Sequence, residues 1–219
     1  MAVMDVVKGT PFAKEAHVDV DMPYYIEVSQ PFRPSESLES KKHNLREAAK
    51  RINKVVIKSG EVFSFWHIVG NPNDAARFKT GRTIHNGVVR LDLGGGLCQA
   101  SGIIHHAVLL SGMNVIERYN HSVDLYTEET RFAPIGTDAT VFFGFKDFRF
   151  QNNFSGAIRV ELIVEEDILR ARLYSELPFE EIDIKTEIEE ISADYKKVTL
   201  LNAANDSVIN ESVYKNFKE

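Results

Sequence analysis

The spacing of apolar residues changes partway along this chain, and that change limits the fold more than any other feature of the sequence. Early on, they recur at helical spacing. Leu45, Ala48, Ala49, Ile52, Val55 and Val56 share one helix face, and Ile103, Ile104, Ala107, Val108 and Leu110 share another. From Val115 onward they alternate, in Val115 to Tyr119, Ala139 to Phe145, Ala157 to Val164 and Ile168 to Tyr174, as strands with one buried face require. Glu165-Glu166-Asp167 joins the last two as a predicted hairpin. Helices first and strands second predict an α+β fold, with helices packed on an antiparallel sheet.

Local signals place the boundaries. Asn44 and Glu47 stand as a capping box for the first helix, and Ser59-Gly60 as its stop. Val62 to Val69 reads as a strand at the core edge, closed by Gly70-Asn71-Pro72-Asn73. Before residue 43, prolines at 23, 31 and 34 divide short extended pieces such as Tyr24 to Val28. The polar, glycine-punctuated run from Asn71 to Leu93 is long for a connection, and long loops are often binding loops or lids.

Charge separates the end of the chain from the rest. Glu176 to Glu219 carries 11 acidic and 5 basic side chains while the preceding residues hold 21 of each, so the formal charge of −6 lies in that tail. Residues 1–42, 43–175 and 176–219 are therefore expected to form an N-terminal extended segment, a central domain and an acidic β-rich extension. No basic stripe with interleaved aromatics argues for nucleic acid. No run reaches the ~18 to 20 apolar residues of a membrane span. The N-terminus lacks the pattern of a signal peptide, so the chain as written is expected in the cytoplasm, with the cell envelope as the alternative. The sequence gives no sign of oligomeric state.

A single cysteine, Cys98, excludes an internal disulfide framework and any zinc site built from several cysteines. It follows Gly94-Gly95-Gly96-Leu97 and precedes Gln99-Ala100-Ser101 at the start of the second helical run, which Gly112 stops. Glycines permit close backbone approach, and a helix N-terminus presents unpaired N–H groups that favour a thiolate and can hold an oxyanion. The alternative is a small buried thiol beside a tight turn.

A nucleophilic cysteine needs a base. The histidines are His17, His43, His67, His85, His105, His106 and His121. His121 ends a predicted strand, after enough chain for the helix to run out and a strand to return. Asp138, opening the next predicted strand, stands where it would orient the imidazole. His105 and His106 lie mid-helix, roughly 10 Å along the axis from Cys98, and suit the core. Cys98, His121 and Asp138 would also serve as three zinc ligands, although without diagnostic spacing. Trp66 suits core packing or stacking on sugar or peptide groups.

Asn44-Leu45, Gly60 to Trp66, Gly94 to Ser101, Glu117 to His121 and Gly136 to Val141, with Asp147 and Asn152-Asn153 beyond, resemble the VanW family in order and spacing. The resemblance covers about residues 43–175, and the glycine, cysteine and glutamine block is its most specific part. Ser59, where the family often has proline, and Gly102 with His105-His106 depart from its pattern. The family includes an accessory protein of vancomycin resistance clusters, which implies peptidoglycan or its precursors as the setting. The order of cysteine, histidine and aspartate is also similar to the papain-like group, with its cell-wall peptidases and transglutaminase-like proteins. Two functions follow as expectations. One is a cysteine-dependent amide hydrolase or acyl transferase acting on cell-wall peptide, with Cys98, His121 and Asp138 catalytic and needing no cofactor. Gly94, Gly95, Gly96, Gln99, Ser101 and Trp66 would then line the oxyanion and substrate site. The other is a binding module in which Cys98 is structural and the Asn71 to Leu93 loop forms a cleft.

Overall fold

Antiparallel pairing dominates the architecture, as the alternation in the second half of the chain requires. The structure is a computed structural model and describes residues 9–15, 21–85, 88–124, 131 and 133–216. In chain order its elements are β1 (Lys14–Glu15), β2 (Tyr24–Pro31), α1 (Leu38–Ile52), β3 (Val55–Ile57), β4 (Val62–Ser64), α2 (Phe65–Val69), β5 (Thr80–His85) and β6 (Val88–Leu93). There follow α3 (Leu97–Leu110), β7 (Asn114–Glu117), β8 (Arg149–Gln151), β9 (Ile158–Val164), β10 (Ile168–Ser175), β11 (Ile184–Ser192), β12 (Tyr195–Asn202) and β13 (Val208–Lys215). The main sheet has the order β1-β3-β9-β10-β2, beside the smaller sheets β4-β8-β7, β11-β12-β13 and β5-β6.

Alternation in β9 and β10 decides which face of the main sheet is covered. Ile158, Val160, Leu162, Leu169, Ala171 and Leu173 are buried, and they share one core cluster with Leu45, Ala48 and Ile52 of α1 and Ile103, Ile104 and Ala107 of α3. Each large side chain so buried contributes about 1.5–3 kcal/mol. On the other face Glu27 accepts from Arg170 at 2.8 Å and Arg172 at 2.6 Å, and the Tyr174 hydroxyl donates to Glu161 at 2.9 Å. The α+β class is as expected, and among the described residues no helix is long and apolar enough to cross a membrane.

The local boundaries differ from the sequence reading for identifiable reasons. Helix α1 begins at Leu38, so Asn44 lies inside it rather than at its cap. The helix stops at Ile52 because the Asn53 side chain exchanges two hydrogen bonds with Leu162, donating to its carbonyl at 3.1 Å and accepting from its N–H at 2.8 Å. That pairing turns Val55 and Val56 into β3 beside β9. The expected strand Val62 to Val69 divides at Ser64. The Ser64 Oγ accepts from the His67 N–H at 3.2 Å, and the Asp147 carboxylate accepts from the Trp66 N–H at 3.0 Å. An anion at the first turn stabilises a helix, so α2 forms where alternation alone suggested a strand.

Residues 139–145 are not a strand either. The Ala139 carbonyl accepts from Ser101 Oγ at 2.7 Å, and the Thr140 N–H donates to the Tyr119 carbonyl at 2.7 Å. With polar backbone groups satisfied in this way, the segment needs no ladder. Phe142 to Lys146 then forms a tight turn closed by the Phe142–Lys146 bridge, which presents Phe142, Phe143 and Phe145 to solvent. The expected long loop holds the β5–β6 hairpin. In the acidic tail, β11 to β13 form a meander whose Val198, Leu200 and Tyr214 pack against Leu109 of α3 and Ile135.

Candidate functional site

The glycine run brings three parts of the chain into contact at the start of α3. A Cβ on Gly95 would lie 2.3 Å from the Gly81 carbonyl carbon of β5, and one on Gly96, whose φ is +101°, would lie 2.5 Å from Lys41 Cγ of α1. The clearance that the sequence suggested for a ligand is therefore taken up at Gly95 and Gly96 by the chain itself. Asn44 locks the arrangement from α1. Its Nδ2 donates to the Lys79 and Gly95 carbonyls, both at 2.9 Å, and its Oδ1 accepts from the Lys79 N–H at 2.7 Å.

This turn fixes Cys98 in the first turn of α3, half-buried, with Sγ 3.5 Å from Thr140 Oγ1 and 3.5 Å from the Val141 carbonyl. His121 follows β7. Its backbone N–H and its ring Nδ1 both meet Asp138 Oδ2, at 2.7 and 2.6 Å. An ionised carboxylate only accepts, so Nδ1 carries the proton and Nε2 is the nitrogen left for Cys98. On the other side of the carboxylate, Arg118 Nη2 donates to Asp138 Oδ1 at 3.0 Å, and the Tyr214 hydroxyl donates to the same oxygen. Arg118 also donates to the carbonyls of Asp138 at 2.7 Å and Gly136 at 2.8 Å, holding the strap that carries the aspartate.

The electrostatics run in one direction along this chain of groups. Burial pushes the Cys98 thiol up, but hydrogen bonding and charge from His121 outweigh it, so the thiol lies below its ordinary 9.0. Burial pulls His121 down, yet Asp138 and Cys98 carry it up to about 10. Burial opposes ionisation of Asp138 too, but His121 and Arg118 hold its carboxyl below the usual range. All three shifts favour a thiolate–imidazolium pair anchored by a carboxylate.

The other candidates have different surroundings. Ser101 is fully buried and bonds to the Ala139 carbonyl and, at 3.2 Å, to the Cys98 carbonyl, so it fixes the backbone behind the thiol rather than facing a ligand. The Gln99 amide nitrogen reaches Gln30 of β2 at 3.5 Å. Gly94, with φ +77°, lies against Pro72. Trp66 donates from Nε1 to the Lys146 carbonyl at 2.8 Å and meets Phe143 edge-on, supporting the aromatic turn after Val141. His105 is buried and bonds to the Thr137 carbonyl at 2.8 Å; burial and Arg118 depress it to about 3, which keeps it neutral. His43 bonds to the Arg77 carbonyl and His67 stacks on Phe12. His17 lies outside the described residues. A zinc site needs donors converging on one point, and among the described residues no three His, Cys, Asp or Glu side chains do so.

Sequence reasoning missed Arg118, Thr140 and Tyr214. Arg118 lies within a block already noted, three residues before His121, but nothing in its spacing announces the two carbonyls and the carboxylate that it binds. Tyr214 carries no motif at all.

The sequence has relatives among known proteins. No solved structure matches the chain. Over 147 residues it is 32% identical to the uncharacterized protein YoaR of Bacillus subtilis strain 168, covering 63% of this chain and 47% of that protein. Over 138 residues it is 30% identical to the vancomycin B-type resistance protein VanW of Enterococcus faecalis strain ATCC 700802 / V583, covering 63% of this chain and 50% of that one. The chain thus spans about half the length of these relatives. The model of the VanW like protein family matches residues 40–174, a stretch that includes Asn44, the glycine turn, Cys98, His121 and Asp138, and the chain belongs to that family.

Proposed function

We propose that this protein carries out cysteine-dependent acyl chemistry on cell-wall peptide, with Cys98 as nucleophile, His121 as acid and base, and Asp138 as the group that orients the imidazole. The observation that carries this reading is the Asp138–His121 bond at 2.6 Å, made beside a thiol at a helix start whose pKa is lowered by that same histidine. The enterococcal relative is a vancomycin B-type resistance protein, which supports the cell-wall setting. The papain-like order of the three residues is an analogy that supports the reaction class alone.

In this reading the Cys98 thiolate attacks an amide carbonyl carbon, with the first turn of α3 beside the developing oxyanion. As the C–N bond breaks, the His121 imidazolium gives its proton to the leaving amine, and a Cys98 thioester remains. Water or the amine of a second peptide then attacks the thioester, losing its proton to His121. Release of the acyl group returns the thiolate. Water makes the protein an amidase or peptidase; an amine makes it a transpeptidase.

The test is incubation of the protein with peptides released from bacterial cell wall, followed by mass spectrometry of protein and peptides. An acyl adduct on Cys98, together with hydrolysed or cross-linked peptide that disappears in Cys98→Ala, is the expected result. Peptides left unaltered and an unmodified Cys98 would contradict the catalytic reading and favour a binding role.

A further inference from the structure

The family match ends at residue 174, yet the site does not. Strand β13, which lies in the acidic tail, runs directly against the segment that carries His121. The Lys215 N–H donates to the Ser122 carbonyl at 2.9 Å, the Asp124 N–H donates to the Lys215 carbonyl at 3.3 Å, and Asn120 Nδ2 donates to the Val213 carbonyl at 2.7 Å. Two side chains of β13 on its buried face, Ser212 and Tyr214, point the other way along the same site. Ser212 Oγ accepts from Arg118 Nη1 at 2.5 Å, and the Tyr214 hydroxyl donates to Asp138 Oδ1. Asn210 adds a bond from Nδ2 to the Gly136 carbonyl at 3.1 Å.

We infer that β13 is a working part of the site, with Tyr214 and Ser212 as positioning residues that hold the Asp138 carboxylate so that its second oxygen meets the His121 ring. This deepens the reading above and rests on it. A carboxylate free to rotate about its last bond offers His121 no fixed partner. Here the Tyr214 hydroxyl and Arg118 take Oδ1, which leaves Oδ2 aimed at both the N–H and Nδ1 of His121. Tyr214 is 2% exposed, and burial with the adjoining carboxylate pushes its phenol up, so it stays an O–H donor. Among the described residues, the other titratable groups about the aspartate and imidazole are Cys98 and neutral His105. An imidazole displaced by even an ångström loses much of its effect on a reacting partner.

Tyr214→Phe removes one hydroxyl and keeps the buried ring. The experiment follows alkylation of Cys98 by iodoacetamide against pH in the intact chain, beside thermal unfolding of each variant. Tyr214→Phe is expected to move the midpoint of the profile up toward that of an ordinary cysteine and to slow labelling at pH 7 by roughly tenfold. Ser212→Ala, which leaves Tyr214 in place, is expected to move the midpoint the same way by less. A purely structural role would lower the unfolding temperature and leave the midpoint where it is, and that result overturns the proposal. If the wild-type profile itself is that of an ordinary cysteine, the catalytic reading fails and this inference with it. A shifted wild type with unshifted variants overturns the role of β13 alone.

Discussion

Replacing Asp138 with asparagine is expected to cost the fold about 2–3 kcal/mol near neutral pH and to flatten its dependence on pH. The carboxylate accepts from the His121 N–H, the His121 ring, Arg118 and the Tyr214 hydroxyl. An amide brings an NH2 group toward donors and leaves the Arg118 guanidinium, 6% exposed, without its counter-charge. Removing one partner of a buried pair costs about 3–5 kcal/mol. The lower figure applies because the aspartate side chain keeps 29% of its exposure, so solvent screens part of the interaction. The signs of the two titrations define a window. Asp138 is held below its ordinary 3.8, so its contribution is present above that pH and is lost as acid takes the folded group through its lower pKa. His121 is raised from 6.5 to about 10, so its contribution is complete below 6.5 and is lost as pH rises toward 10. Wild-type stability from this pair should therefore be greatest between 3.8 and 6.5, and urea unfolding across pH should show Asp138→Asn losing that maximum. An unchanged pH profile would contradict the geometry.

The second large effect belongs to Asn44 of α1. Asn44→Ala takes the acceptor from the Lys79 N–H and the side-chain donor from the Gly95 and Lys79 carbonyls, of which the Lys79 carbonyl keeps the Gly94 N–H at 3.1 Å, in a place with no exposure at the asparagine. A buried polar group stripped of its bond costs about 1–3 kcal/mol. Asn44→Ala is accordingly expected to destabilise by about 3 kcal/mol, measured as a lower urea midpoint. Because Gly95 leads into α3, Cys98 labelling in the surviving folded protein should also slow. A loss under about 0.5 kcal/mol, the range of an ordinary surface change, would show that the asparagine does not hold the glycine turn.

What the sequence revealed, and what it hid, follows from how local each signal is. The periods of the apolar residues identify α3, β9 and β10 because burial on one face is written at fixed spacing. Cys98, His121 and Asp138 are chemically distinctive residues in short blocks, so they were legible as candidates. Asn44 looked like a cap because a capping box is a local pattern, whereas its real partners, Lys79 and Gly95, are distant in sequence. The same reason hides α2, whose first turn is completed by Asp147, and the irregular strap about Asp138, whose carbonyls are bound by Arg118, Ser101 and His105. The glycine turn was legible as a tight bend, but its tightness comes from Gly81 and Lys41 pressing on it. Ser101 reads from sequence as a ligand-side residue because neighbours of a nucleophile often face it; the fold buries it against the Ala139 carbonyl. Tyr214 had no local signal, since its role depends on a strand returning from the far end of the chain.

The most direct test of the account is the pH profile of Cys98 alkylation in the wild type and in His121→Ala. With a single cysteine in the chain, every labelled thiol is Cys98. Wild type is expected to titrate below the ordinary 9.0, and His121→Ala above it, because the burial that pushes the thiol up then acts without the histidine that pulls it down. A wild-type midpoint at or above 9.0 that does not move in His121→Ala would contradict the coupling of Cys98 to His121 on which the account depends.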